Sequence, residues 1–514
     1  MRISALLLVL LGVISSEAAV QTSAVLPRAT SEISAATEQV LLSEPERIFG
    51  LVTLYRTARE KFAWWEQVPD LDWDRAFLEY LPLVQHEEST YGYYLLLKKF
   101  MALLKDGHTE VYFPYVVQKE LDRFPIEVSF YGGEWVVIRR FPTEEIREKD
   151  IPVGSLLRSI EGLSPKRYLE ENVFPYLEEA TLYRKRMESL QRFDFPAGTE
   201  LLFEIEYPDG TIEARTLRAN YAGIEWTDEL EEEYGCQCPE ISFKRHRMEG
   251  DIDYVWFGDC EEEVLEEFAG YIRSVSSEPP PGLILDLRYN GGGQLIVSAS
   301  AVGYLIGEPI KTWSRWTRCA IATLDDQFDP SEGVPYWNTS SWLESDMGVL
   351  GPAGGVLPNQ FREGWIPLAN PPEEWAPPNP GSYTGPLVVL TGYRTASAAE
   401  DLAALLRGSG RAPIVGEMTA GTTGYQSYAV LPGGGRARVC DVQHHYPGAG
   451  DYVGSGLIPD VPVLRTLEGI REGRDEILEA AVEYLKNPEA IRSTVPSPNA
   501  SGLFTDLIRA LANE

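Results

Sequence analysis

The stretch Leu387-Val388-Val389-Leu390-Thr391-Gly392-Tyr393-Arg394-Thr395-Ala396-Ser397-Ala398-Ala399-Glu400-Asp401-Leu402-Ala403-Ala404-Leu405-Leu406 decides the fold class. Its first four residues are an unbroken apolar run, as expected of a strand buried on both faces. A turn follows, and the segment from Ser397 onward is rich in strong helix formers. Gly408 and Gly410 are placed to end that helix, and Pro413-Ile414-Val415-Gly416 reads as the next strand. A strand–helix–strand unit of this kind predicts an α/β domain with parallel strands. It puts Ser397 at the first turn of the helix, where backbone amides lack partners and the helix dipole is positive. A serine oxygen there is suited to attack a carbonyl while neighbouring N–H groups face the developing oxyanion. Ser397 with Glu400 is equally the pattern of a capping box, which helices use with no catalysis involved.

Two other stretches carry chemistry. Gly282-Leu283-Ile284-Leu285-Asp286-Leu287-Arg288-Tyr289-Asn290-Gly291-Gly292-Gly293 runs from an apolar strand into a glycine turn, with an apolar helix expected near Ile296–Leu305. Three glycines let the backbone approach a ligand with its amides outward. The lysine and hydroxyl of a phosphate loop are missing, so an oxyanion-hole contribution fits better. Lys105-Asp106-Gly107-His108-Thr109 places a histidine between a helix ending at Gly107 and a strand beginning at Val111. A serine nucleophile needs a base. The five histidines are His86, His108, His246, His444 and His445, and a lysine is the other option.

The remaining chain reads as several units. Residues 20–38 are small and polar. Ser43–Leu104 is helical in pattern, with Ile48, Leu51, Val52 and Tyr55 on one face and Trp73, Phe77, Tyr80 and Leu81 on another. Residues 125–219 read as mostly β, ending in a hairpin of Leu201–Tyr207 and Thr211–Leu217. Residues 226–250 are strongly charged. Residues 308–385 are rich in Trp, Pro and Gly with little periodicity, and their length suits a lid or specificity wall. Strands are expected at Gln426–Leu431 and Arg436–Val442, an amphipathic helix at Arg474–Leu485 and a short helix at Phe504–Leu511.

Composition narrows the function. The 514 residues carry 45 basic and 78 acidic side chains, a formal charge of −33. That disfavours nucleic acid and anionic membrane surfaces as partners. Residues 1–19 have the form of a signal peptide, with Arg2, an apolar core from Ala5 to Ile14 and small residues at Ala18-Ala19. The apolar run is too short to span a bilayer. An exported protein, periplasmic or extracellular, is expected, with no membrane anchor after signal removal. The cysteines are Cys236, Cys238, Cys260, Cys319 and Cys440; Cys236 or Cys238 is available to pair with Cys260 in an oxidising compartment. No cysteine or histidine spacing completes a zinc site, so neither metal nor organic cofactor is expected.

Taken in order, Asp106-Gly107-His108-Thr109, Asp286-Leu287-Arg288-Tyr289-Asn290-Gly291-Gly292-Gly293 and Thr395-Ala396-Ser397-Ala398-Ala399-Glu400 resemble the C-terminal processing (tail-specific) serine peptidases and the tricorn protease core. Gly154–Gly162 resembles the core of a PDZ domain, a peptide-binding module. Gly416-Glu417-Met418-Thr419-Ala420-Gly421 and Gly456-Leu457-Ile458-Pro459-Asp460 fit the same family. The resemblance implies an α/β multidomain fold: a crotonase-like βαβ catalytic core at 245–465 with the insertion 308–385, a helical N-terminal domain at 20–115, an inserted PDZ-like β domain at 120–220, and C-terminal helices at 466–514. It implies a serine endopeptidase acting on peptides or proteins, with tail-specific action as the narrower expectation. Ser397 is then the nucleophile, and Gly292 and Ala398 supply the oxyanion hole. One branch of the family uses a lysine about 25 residues after the serine, where this chain has Thr422; the tricorn-like branch uses the histidine that falls on His108. The serine before that histidine is replaced by Gly107, and the glutamate that orients it by Val453. That leaves Asp451, Asp441 or Ser455 to orient His108, with Glu400 as a second supporting carboxylate. The alternative is a non-catalytic peptide- or lipid-binding protein on the same fold. Oligomeric state is not specified by the sequence.

Overall fold

The computed structural model describes residues 41–221, 224, 230, 242–318, 366–367, 373–448 and 450–487. The leader at 1–19, the polar start at 20–38, Cys236, Cys238, Cys319 and the short helix expected at Phe504–Leu511 lie outside the described residues.

At the centre is a six-stranded sheet in the order Val461–Pro462, Ile414–Gly416, Leu387–Thr391, Leu283–Asp286, Asp253–Phe257 and Phe243–Arg247. The first five run parallel; Phe243–Arg247 is antiparallel at the edge. Every residue of Leu387–Thr391 and Leu283–Asp286 is buried. Side chains alternate along these strands. Val389, Leu285 and Val255 therefore join the core beneath the helices Glu262–Val275, Leu295–Gly303 and Ala398–Gly408. Val388, Leu390 and Ile284 face the opposite way, against Ile477, Ala481 and Tyr484 of the helix Glu476–Lys486. The apolar runs are thus covered on both sides, and the two glycine-bearing turns both leave from strand ends of one sheet.

Helices Glu44–Lys61, Trp73–His86 and Thr90–Met101 form the N-terminal bundle, in which Trp73 stacks on Phe100 with ring centroids 4.2 Å apart. The buried face of Glu44–Lys61 is Gly50, Leu51, Leu54 and Ala58; Val52, expected inside, is 38% exposed. A helix of 3.6 residues per turn places 51, 54 and 58 on one stripe and leaves 52 about 100° round from 51. The bundle leads to Glu110–Tyr112, which pairs antiparallel with Arg436–Cys440, itself paired with Gln426–Val430. This three-stranded sheet carries the N-terminal histidine motif to the region after the central sheet.

Residues 126–218 hold a five-stranded antiparallel sheet, ordered Ile126–Tyr131, Glu134–Arg140, Leu156–Ile160, Glu200–Glu206 and Ile212–Arg218. The expected hairpin is its last pair, in register from Glu206↔Ile212 to Glu200↔Arg218. The described flanks of 308–385 are not aperiodic wall. Ile310–Thr317 pairs with Glu373–Ala376, Ile366–Pro367 and Val442–His445. A register shift interrupts Ile310–Thr317 between Lys311 and Ser314, which removes the strict alternation that a strand otherwise displays in sequence.

Candidate active site

Ser397 sits immediately before the helix Ala398–Gly408 with φ 55° and ψ −130°. A non-glycine residue at positive φ costs on the order of 1–3 kcal/mol and persists only where its surroundings enforce it. The enforcement is visible. The Ser397 N–H donates to the Thr422 carbonyl at 2.9 Å and to Glu400 Oε2 at 3.2 Å. The Ser397 carbonyl accepts the Asp401 N–H at 3.0 Å. On the preceding turn, Ala396 N–H bonds the Asn290 carbonyl, Ala420 N–H bonds the Thr395 carbonyl, and Thr395 Oγ1 donates to the Leu287 carbonyl. Ser397 is only partly exposed, and its neighbours Thr395, Ala396, Ala398, Ala399 and Glu400 are all buried.

Glu400 is fully buried and accepts hydrogen bonds from Ser397 N–H, Thr419 Oγ1, Gly421 N–H and Thr422 N–H. Burial raises its pKa to about 7 against the pull of those bonds. The capping carboxylate and the nucleophile position are therefore parts of one device: Glu400 clamps the serine amide and the Gly421–Thr422 loop together.

The glycine turn packs directly on the serine. A Cβ on Gly292, whose φ is +104°, would lie 2.7 Å from Ser397 Cβ and 3.0 Å from the Ala398 nitrogen. As the first helical residue, Ala398 has an N–H with no carbonyl to meet inside the helix. The Gly292 N–H, however, donates to Asn290 Oδ1 at 2.8 Å, and Asn290 Nδ2 donates to the Phe257 carbonyl at 2.9 Å. The Asn290 side chain thus holds the loop and occupies the amide assigned to an oxyanion. Cys260 lies beneath this loop as a buried free thiol; its N–H bonds the Gly292 carbonyl, and its Sγ is surrounded by Asn290 and Ser298. Among the described residues it has no disulfide partner; Cys236 and Cys238, the candidates to pair with it, lie outside them.

His108 is 5% exposed. Lys105, with φ 51°, makes the left-handed turn expected at Gly107. Gly107 is small for another reason: a Cβ there would come within 3.2 Å of Thr422 Cγ2. Asp106, also buried, accepts from Thr109 Oγ1 at 2.7 Å and Thr422 Oγ1 at 3.3 Å, fixing the motif. His108 Nδ1 lies 2.8 Å from the Gly424 carbonyl and 2.8 Å from Gln426 Nε2. A carbonyl oxygen can only accept, and Gln426 Nε2 also donates to the Gly424 carbonyl, at 3.1 Å. Nδ1 therefore carries the proton and Nε2 the lone pair, the tautomer a base requires. Burial, reinforced by the positive charge of Arg438, lowers the His108 pKa to about 3; the Gly424 carbonyl opposes this. The ring is neutral at physiological pH.

Ser397 and His108 thus meet on one loop, the first through the Thr422 carbonyl and the second through the Gly424 carbonyl. No direct hydrogen bond joins their side chains among the described residues. None of the three residues left to orient His108 touches it. Asp451 Oδ1 bonds His445 Nδ1 at 3.0 Å on the surface, Asp441 accepts from Ser427 Oγ, and Ser455 Oγ donates to the Tyr452 carbonyl. The orienting contact comes instead from the Gly424 carbonyl and Gln426, which carry no side-chain signature of that role in sequence. Deeper in the same wall, buried Asp401 accepts from Tyr446, Tyr452 and Thr423, and burial raises its pKa to about 6. Arg394, three residues before Ser397, pairs with Glu127 at 2.9 Å and Glu188 at 3.5 Å, joining the nucleophile's turn to the five-stranded unit.

Known proteins resemble this chain in sequence and in fold. Residues 251–463 match peptidase family S41. Over 109 residues the chain is 37% identical to a carboxyl-terminal-processing protease of Picosynechococcus sp., a stretch covering 21% of this chain and 26% of that protein. The match thus spans about a quarter of the curated relative's length. In fold, the chain is similar to mature CPAF complexed with lactacystin, with a TM-score of 0.64 at 19% identity over 87% of this chain and 99% of that one. Mature CPAF alone gives a TM-score of 0.64 at 19% identity, over 87% and 98% of the two chains. At that identity the likeness is one of fold.

Proposed function

We propose that this chain, whose residues 251–463 match peptidase family S41, is an active, exported serine endopeptidase using Ser397 and His108. Ser397 Oγ attacks the peptide carbonyl and His108 Nε2 takes its proton, later returning it to the leaving amine. The Ala398 N–H faces the oxyanion at the helix N-terminus. A second donor from the glycine turn requires Gly292 N–H to be shared with Asn290, or a neighbouring amide of the turn to serve. The observation that carries this reading is the serine at positive φ, its main chain held by Thr422, Asp401 and the Glu400 carboxylate and its Cβ pressed against Gly292. Strain kept in place so heavily is characteristic of functional positions. The PDZ-like segment, the periplasmic or extracellular location and action on protein tails belong to the same proposal.

The second reading, a non-catalytic binding protein, is favoured by one observation: among the described residues no carboxylate touches His108. A histidine without one loses stabilisation of its imidazolium form. Labelling with a fluorophosphonate probe separates the two. The endopeptidase reading expects labelling of the wild type, none in Ser397→Ala, and a fall of at least about 10³-fold in His108→Ala. Equal labelling of wild type and Ser397→Ala would exclude Ser397 as the nucleophile, and absence of labelling in the folded wild type would favour the binding protein.

A further inference from the structure

Away from Ser397 and His108, a cavity of about 280 Å³ opens between the five-stranded unit and the central sheet. Tyr131 comes from the first strand of the five-stranded unit, while Tyr289 and Tyr393 come from the two turns that lead to Gly292 and Ser397. Arg465 and Glu417 complete the part of the lining that matters here.

The charges in the wall are unequal in status. Arg288 is paired with Asp286 and Asp475, both at 2.6 Å. Arg474 is paired with Glu472, Glu476 and Glu479. Arg465 and Glu417 differ: neither makes an ion pair within 4 Å among the described residues, although each senses the other's charge. The Arg465 guanidinium lies 6.0 Å from the centroid of the Tyr131 ring, a cation–π distance. Glu417 is 3% exposed, and its Oε1 is buried without a hydrogen-bond partner among the described residues. A buried carboxylate oxygen left unpaired is costly, and such groups mark sites completed by something else. Burial raises the Glu417 pKa to about 7 against the pull of Arg465, Tyr131 and the Tyr393 backbone, so a cation placed beside it would draw it into its charged form. Arg465 and Glu417 line one polar, aromatic-walled cavity without closing on each other, which leaves room for a ligand with both charges.

We propose that this cavity binds a free α-amino acid, its carboxylate paired with Arg465, its ammonium with Glu417, and its side chain among Tyr131, Tyr289 and Tyr393. A simple anion is disfavoured because it would face the Glu417 carboxyl, and a simple cation because it would face Arg465. The site needs no catalytic role for Ser397.

Calorimetric titration of full-length Ser397→Ala protein tests it without interference from turnover. The probes are L-phenylalanine and L-leucine, with N-acetyl-L-phenylalanine and L-phenylalaninamide as analogues lacking one charge. The expected result is single-site binding of at least one amino acid, with each phenylalanine analogue weaker by about tenfold or more, equivalent to ~1.4 kcal/mol. Arg465→Gln should erase the preference for phenylalanine over the amide, and Glu417→Gln the preference over the N-acetyl form. Circular dichroism and melting curves establish that both variants are folded. No saturable binding of either amino acid at about 10 mM, or equal binding of all phenylalanine probes, overturns the proposal and leaves the cavity to solvent.

Discussion

The serine and the histidine are held in opposite ways. Ser397 is held at its main chain by the Thr422 carbonyl, the Asp401 amide at the helix start and the buried Glu400 carboxylate, and Gly292 packs against its Cβ. His108 hangs from one turn, and its ring is oriented by a backbone carbonyl and an amide side chain. Redundant main-chain bonds tolerate the loss of any one and preserve strain. A ring held through one nitrogen has its tautomer set, but among the described residues no carboxylate hydrogen-bonds it to stabilise the imidazolium. Under the proposed mechanism, the contrast teaches that this site invests in the position of Ser397 and the oxyanion, and less in the basicity of His108.

The sharpest way to break the comparison is Gly292→Ala. The added methyl would fall 2.7 Å from Ser397 Cβ, at a φ that alanine rarely adopts. The fluorophosphonate labelling rate should fall by about 10²–10³-fold, the usual scale for losing oxyanion geometry. A variant that labels normally would show that the glycine turn is not pressed on the nucleophile.

A second test concerns the base. Because burial penalises the imidazolium, neutral His108 persists to lower pH than ordinary histidine, down to about 3. At pH 5 an unperturbed histidine would be only about 3% neutral. The labelling rate relative to pH 7 should therefore stay up to about 25-fold higher than such a base allows. A rate that collapses with a midpoint near 6.5 would place His108 in a wetter setting than its 5% exposure indicates.

Gln426→Leu probes the looser tether. Nδ1 keeps the Gly424 carbonyl, so the labelling rate should drop by less than about tenfold. The smallest effect belongs to Asp451→Asn. Its carboxylate pairs with His445 and is 62% exposed, so a change of no more than about twofold is expected. A large loss there would bring Asp451 to His108 in the working enzyme.

The same contrast explains what the sequence disclosed. The nucleophile's unit was legible because its elements have side-chain signatures: an apolar run from Leu387, a helix-forming run from Ala398, and glycines where backbones approach. The Asp106–Thr109 motif was legible for its histidine and for the side chains that fold it. The orientation of that histidine was not, because the acceptor is a main-chain carbonyl, and every residue has one. Asp451 attracted the role as a nearby acid, but strand Val442–His445 turns it toward His445 instead. The left-handed turn at Lys105 was hidden for a related reason. Glycine is the usual residue there, and the glycine two positions on is needed for its small size against Thr422.

The loop at Thr422–Gly424 also gives the chain a built-in order of events. His108 and the carbonyl that orients it are 316 residues apart in sequence. A growing polypeptide that has just completed Ser397 already contains nucleophile and histidine, yet lacks the segment on which both are mounted. Such a chain is a latent hydrolase: reactivity arrives only when the far end of the domain is made and docked. Chains truncated at residue 420 should accordingly resist fluorophosphonate labelling while the full-length protein reacts, so that the newly made enzyme is harmless to the machinery that synthesises it.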